Sequence, residues 1–317
     1  MALPTLVLIA AALVTVWLYA PAVAAPLVYE DANITSAPVS LQWPPSRTVS
    51  NWSLRQTATQ PALAHAENIG LHLLAGLLVA WLALIWAGPW PAVLSAALFW
   101  WLPLTSQAVL YVIGREDLLL AIAVLAALLA SIYGRWWLMA AALVVAASTK
   151  EIGLIVGVPL VLWTRMVRRQ SWYGLALLCG IGFGLVAMFE SRYLIALVTF
   201  APMGAPVPWS EFVARQTGLV WALVTGSVSL AIDHDALALS HPWLIGSTLA
   251  SVGTLSLIAW SWLRRPVLAW ALGAAVMAIA PRVLIGANEF VSDRHLYLSM
   301  APLMVGLSAV ILGKDRS

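Results

Sequence analysis

Charge is scarce in this sequence. Asp, Glu, Lys and Arg make up 9% of its 317 residues, against roughly a quarter in an ordinary soluble domain. With 62% hydrophobic residues and a mean hydropathy of +0.93, the chain carries more apolar surface than one water-soluble core can hide. Cysteine is almost absent. The one present, Cys179, lies inside an apolar run, which excludes an internal disulfide and a cysteine-built metal site. Strand-length alternation of polar and apolar residues is missing too, which excludes a membrane β-barrel. The formal charge of +3 comes with no basic stripe, so nucleic acid is not a partner. No positive n-region precedes the first apolar run. Ala22-Val23-Ala24 has the spacing of a cleavage site, but the length of the run favours an uncleaved first span.

What remains is a succession of apolar runs of roughly 17 to 25 residues, each long enough to cross about 30 Å of hydrocarbon as a helix. The sequence predicts an all-α polytopic membrane protein of about ten spans in a single domain over 1–317. The spans are placed near 3–27, 67–87, 91–110, 117–134, 136–149, 151–164, 171–189, 243–263, 267–286 and 295–312. Tryptophans Trp43, Trp90, Trp136, Trp137, Trp163, Trp172 and Trp262 stand at run edges, where amphipathic rings favour the interface.

Lys and Arg collect in loops on the cytoplasmic side. Three clusters, Arg165 with Arg168 and Arg169, Arg264 with Arg265, and Lys314 with Arg316, are therefore assigned to one inner face. An even number of crossings must separate the first two clusters. The interrupted apolar segment 217–232 is thus predicted to lie along the outer face or dip into it, within an outer region spanning 190–242. Both termini fall inside, and the expected location is a bacterial inner membrane. Every acid except Asp315 then falls outside, mixed with basic residues. Charge gathered at a membrane boundary is either a functional site or a solvated rim.

Several stretches could carry chemistry. Glu30 and Asp31 follow the first span, in the outer loop 28–66. Paired carboxylates there, with a cation nearby to keep one ionised, suit a general base that takes a proton from an acceptor hydroxyl; a solvated helix end is the bland reading. His65, Asn68 and His72 share one helical face, a pattern better suited to interhelical hydrogen bonds than to a metal. Arg115, Glu116 and Asp117 follow Gly114, which allows a tight approach. Lys150 stands beside Glu151, and Asp293, Arg294, His295 and Tyr297 precede the last span. Arg115, Lys150 and Arg294 offer the fork donors and point charge that hold a phosphate, with internal ion pairing as the competing reading.

The ordered set "YED" at 29–31, "H-x-x-N-x-x-x-H" at 65–72, "PLTSQAVLYVIGREDLL" at 103–119, "KE" at 150–151, "LAIDHD" at 230–235 and "DRHLYL" at 293–298 resembles the membrane portion of the transmembrane and tetratricopeptide-repeat O-mannosyltransferases and their bacterial relatives, which are GT-C glycosyltransferases. The resemblance covers roughly 28–300. It implies transfer of a sugar from a polyprenyl-phosphate donor to a protein or glycan acceptor on the outer, periplasmic face, with no metal assigned. Asp31, beside Glu30, would be the base. Arg115, Lys150 and Arg294 would hold the donor phosphate, supported by His65, Asn68, Glu116, Asp117, Glu151 and Tyr297. Two features depart from the pattern. Leu102-Pro103 and Gln107 stand where relatives have His-Pro and an acidic residue, and no tetratricopeptide repeat lies within the 317 residues. They leave an alternative of another class, a non-catalytic GT-C-like accessory or scaffold subunit of a membrane complex.

Overall fold

The computed structural model describes residues 2–27, 47–57, 59–150, 152–170, 209–227, 240–285 and 293–313. These residues are helical, with no strand among them. In chain order the helices are α1 (Ala2–Tyr19), continued by a 3-10 segment Ala20–Ala24, α2 (Thr48–Thr57), α3 (Pro61–Ala87), α4 (Pro89–Trp101), α5 (Pro103–Leu110), α6 (Arg115–Ile132), α7 (Trp136–Thr149), α8 (Gly153–Val167), α9 (Trp209–Val224), α10 (His241–Arg264), α11 (Pro266–Ile285) and α12 (Tyr297–Leu312). Short 3-10 turns at Val112–Gly114 and Asp293–Leu296 lead into α6 and α12.

Five segments among the described residues are long and apolar enough to cross a membrane: Ala2–Ala24, Pro61–Ala87, His241–Arg264, Pro266–Leu284 and Asp293–Leu312. The chain is a multi-pass membrane protein by this criterion. The expected span at 91–110 is not one rod, because α4 and α5 meet at a 60° bend. Pro103 supplies no N–H and forces Leu102 into an extended conformation (ψ 123°), which ends α4 there. Counted as one broken span, the pair brings the total to six. Three further expected spans fall on shorter or more charged helices, α6, α7 and α8, and 171–189 lies outside the described residues. Among the described residues five or six segments thus qualify by length and composition, which does not confirm the expected count of about ten.

Position in the bundle explains why α6 needs no long apolar stretch. Of its 18 residues, 15 are buried, and α3, α7, α8 and α12 surround it. Protein rather than lipid solvates its charged first turn. By contrast α1 and α10 bury little of themselves. Leu6, Leu13, Trp17, Leu249, Leu255 and Leu263 stand exposed on them, as lipid-facing side chains do.

Lipid tails are as apolar as leucine, so helix association here rests on close packing and interhelical hydrogen bonds. Ser95 of α4 meets Ser308 of α12 at 2.5 Å (Oγ to Oγ). Between α8 and α11 the bonding is reciprocal: the Trp163 indole donates to the Trp270 carbonyl (3.0 Å), and the Trp270 indole donates to Thr164 Oγ1 (2.8 Å). Trp100 and Trp270 are wholly buried, so part of the tryptophan content serves packing rather than the interface. Of the ring positions assigned to span edges, Trp137 is strongly exposed and Trp90 substantially so. Trp43 and Trp172 lie outside the described residues.

Helix α9 covers residues 217–224 of the segment expected to lie along or dip into the outer face, and 228–232 lie outside the described residues. Trp243 donates to the Gly218 carbonyl (2.9 Å) and Trp221 to Ser251 Oγ (2.9 Å). The contacts advance in the same sense along α9 and α10, so the two helices run alongside one another from the His241 end.

At the α3–α4 contact the Trp100 indole donates to the His72 carbonyl (3.1 Å). It reaches that backbone because residue 76 is glycine: a β-carbon there would sit 1.9 Å from Trp100 Nε1. Gly76→Ala is expected to lower stability by about 1–3 kcal/mol, read as the thermal unfolding midpoint in detergent. Gly70→Ala, where nothing lies within 4 Å of the added carbon, should cause no such steric loss.

Candidate functional site

The charges of the described residues are divided between the two ends of the bundle. One end, formed by the turns at Gly88, Gly134, Arg168–Gln170, Arg265 and Gly313, carries Arg135, Arg165, Arg168, Arg169, Arg264 and Arg265, and no described acid. Contacts tie this end together. Arg165 donates to the Ser131 carbonyl (3.0 Å) and its guanidinium covers the Trp136 ring at 4.3 Å. The opposite, mixed-charge end holds Glu67, Glu116, Asp117 and Asp293 with Arg47, Arg115, Lys150, Arg282 and Arg294. Glu211 and Arg215 form their own pair (2.7 Å) on α9.

Arg115 organises the mixed-charge end. Its side chain is fully buried, and its donors reach two separate elements, α2 and α3. Nε donates to Asn68 Oδ1 (2.9 Å), Nη2 to the Ala64 carbonyl (2.9 Å), and Nη1 to the Ser53 carbonyl (2.9 Å) and Thr57 Oγ1 (3.0 Å). Nη1 also lies 2.7 Å from Glu67 Oε2. Asn68 completes the arrangement, for its amide donates to the carbonyls of Val109 (3.2 Å), Tyr111 (3.2 Å) and Val112 (3.4 Å), left over where α5 ends. One residue earlier, Gly114 admits this turn: a β-carbon would come within 2.6 Å of the Ala108 carbonyl oxygen.

Internal ion pairs, the competing reading, are present, but between partners other than the adjacent Lys150 with Glu151 or Arg115 with Asp117. Lys150 Nζ lies 2.5 Å from Asp117 Oδ1, with both side chains about nine-tenths buried. Arg47 meets Glu116 at 3.2 Å, and Ser50 of α2 donates to the Thr149 carbonyl (2.9 Å) next to Lys150. Arg115 is thus paired inward with Glu67, rather than with Asp117.

Around Lys150 gathers a second basic group. The α5 helix, turned by the bend at Pro103, packs against the 3-10 turn Asp293–Leu296. Gln107 Oε1 accepts from the Arg294 backbone N–H (2.6 Å), and the Arg294 guanidinium stands 5.3 Å from the Tyr111 ring. His295 lies in the electrostatic field of Arg282, Lys150 and Arg294, and Tyr297 in that of Asp117. Lys150 and Arg294 thus both act on His295, whereas the Arg115 guanidinium is bonded into α2 and α3.

Histidine 72 sits below this group. The Trp100 carbonyl can only accept, so His72 Nε2 carries the proton and donates to it (3.2 Å), leaving Nδ1 to accept from the Tyr297 hydroxyl (2.7 Å). Tyr19 and Phe99 close the rings around it. His65 is buried beside Arg115's partners on α3. The expected interhelical role of this helix face fits these contacts, and no cluster of metal-binding side chains occurs among the described residues.

Arg282 and Gln107 escaped the sequence reading. Arg282 follows Pro281 inside an apolar helix and belongs to no motif; Gln107 looked like a lost acid, whereas its oxygen holds the Arg294 backbone. Glu30, Asp31 and Glu151 lie outside the described residues. The chain leading toward the acidic pair passes Leu27, packed beside Leu54, Ala64 and Val112. Compared with protein-family models, with curated proteins and with solved structures, the chain matches none.

Removing one member of a buried ion pair strands the other, whereas replacing both by apolar groups is often neutral. Asp117→Asn is expected to lower stability by about 3–5 kcal/mol, and Asp117→Leu combined with Lys150→Met to recover most of that loss. The check is the unfolding midpoint of both variants in one detergent.

Proposed function

We propose that the chain is a membrane glycosyltransferase of the GT-C kind, moving a sugar from a polyprenyl-phosphate carrier to an acceptor hydroxyl at the mixed-charge end of the bundle. The observation that supports the reading is that Lys150, Arg282 and Arg294, from three separate stretches of sequence, all act on His295, with Asp117 paired to Lys150 and acting on Tyr297. Cations collected at a membrane boundary in this way suit a lipid-linked phosphate better than a solvated rim does. The arginine end, free of described acids, supports assigning that end to the cytoplasm and the site to the opposite face.

On this reading Lys150 and Arg294 neutralise the phosphate as the glycosidic bond breaks. Such groups accelerate the reaction because negative charge grows on the leaving oxygen in the transition state. Asp117 orients the Lys150 ammonium, and Gln107 orients Arg294 through its backbone. Arg115 is a positioning residue, which fastens α2, α3 and the turn before α6 so that Asp117 faces Lys150. Asp31, with Glu30 beside it, takes the proton from the acceptor hydroxyl as its oxygen attacks the anomeric carbon. The base assignment rests on the sequence resemblance alone.

Asp31→Asn is expected to lower sugar transfer from a polyprenyl-phosphate donor by about 10²–10⁴-fold, with the unfolding midpoint unchanged. Arg294→Glu should weaken donor binding. Transfer near the wild-type rate in Asp31→Asn refutes the base. If the unaltered protein binds no polyprenyl phosphate, the accessory-subunit reading takes its place.

A further inference from the structure

The arginine end contains a cavity that the proposed reaction does not use. Its volume is about 330 Å³, at the small end of the roughly 300–1,000 Å³ typical of ligand sites. It lies where the last turn of α3 and the last turn of α12 meet the start of α11. Arg168, Arg264 and Arg265 stand in its wall with Trp86, and the remaining lining is mainly apolar, including Ile85 and Val310.

Three features set this place apart from a merely basic surface. No described acid lies at this end beside the three guanidinium groups. Arg168 is half-buried and stacked over the Trp86 ring at 5.0 Å, which fixes its plane; burial lowers its pKa from the ordinary value, with Tyr133 acting in the opposite sense. The Trp86 indole N–H is buried and has no acceptor among the described residues, and the ring itself is held by stacking on Trp270 (5.2 Å).

We infer that this cavity binds the phosphate headgroup of an anionic phospholipid from the adjoining leaflet. Charge calls for an anion, and guanidinium groups match phosphate oxygens in geometry. The apolar wall decides which anion. Ile85, Val267, Leu268 and Val310 belong to membrane-crossing segments or stand at their ends, so a ligand with its phosphate at the arginines lays its glycerol and first acyl carbons against them. A free phosphate gains nothing from that wall, whereas a lipid fits both halves. Basic pockets between membrane helices near the cytoplasmic surface hold acidic headgroups by the same combination. The inference does not depend on the transferase reading, since cavity and proposed site lie at opposite ends.

The test is lipid retention by the full chain purified in detergent, measured by native mass spectrometry with phosphatidylglycerol and phosphatidylcholine. The expected result is selective retention of phosphatidylglycerol. Arg264→Gln with Arg265→Gln, two exposed positions whose replacement does not threaten folding, should weaken it by about fivefold per arginine. Arg264→Lys with Arg265→Lys should keep part of it, and Arg135→Gln, at the same end but outside the cavity, should keep all. Equal retention of the two lipids overturns the proposal, as does unchanged retention in the glutamine variant. Inorganic phosphate that displaces phosphatidylglycerol and stabilises the protein equally well also overturns it, by reassigning the cavity to a free anion.

Discussion

A guanidinium group in a protein interior must find acceptors for five N–H donors, and the mixed-charge end is built around satisfying one, Arg115. Its acceptors come from α2, α3 and the Asn68 amide, which in turn accounts for the carbonyls released where α5 stops. Because the group is wholly buried, water cannot substitute for any of these partners. The positions of Glu116 and Asp117, next along the chain, follow from this fixation, and with them the place where Lys150 can be received.

The same demand explains the rest of the bundle's polar geometry. Helix α6 is charged for a membrane span, yet it is solvated by protein, so its first turn can lie among side chains rather than in lipid. Indole and hydroxyl groups make the cross-links that hydrophobic contact cannot supply in a bilayer, as at Ser95 with Ser308 and at Trp163, Trp270 and Thr164. Those links lie toward the arginine end, while the mixed-charge end is held by its ion pairs and the Arg115 hydrogen bonds. A site that must stabilise developing charge benefits from groups already held in place.

Charge separation along the membrane normal gives the two ends different chemistry. Where acids and bases are mixed, Lys150, Arg282 and Arg294 act on His295 in the turn that packs against the bent α5, the grouping behind the proposed reaction. Where arginines stand without described acids, a cavity is walled by the ends of membrane-crossing segments, the feature behind the proposed lipid headgroup site. The two proposals thus draw on one physical resource, cations at a low-dielectric boundary, at opposite ends of the bundle.

Much of this was legible in the sequence because a bilayer imposes simple rules. Low charge, long apolar runs and loops rich in arginine determined an all-helical membrane protein and predicted which charges share an end. Motif position named Lys150, Arg294 and Asp117 as members of one region. Tertiary structure alone decided that Pro103 breaks the third run, that Arg115 turns inward to Glu67 and Asn68, and that Arg282 and Gln107 join the group around Arg294. The reason is that hydropathy counts what a segment would meet in lipid, while hydrogen-bond partners and ion pairs depend on which helix lies beside which. That adjacency is fixed by packing between residues far apart in the chain.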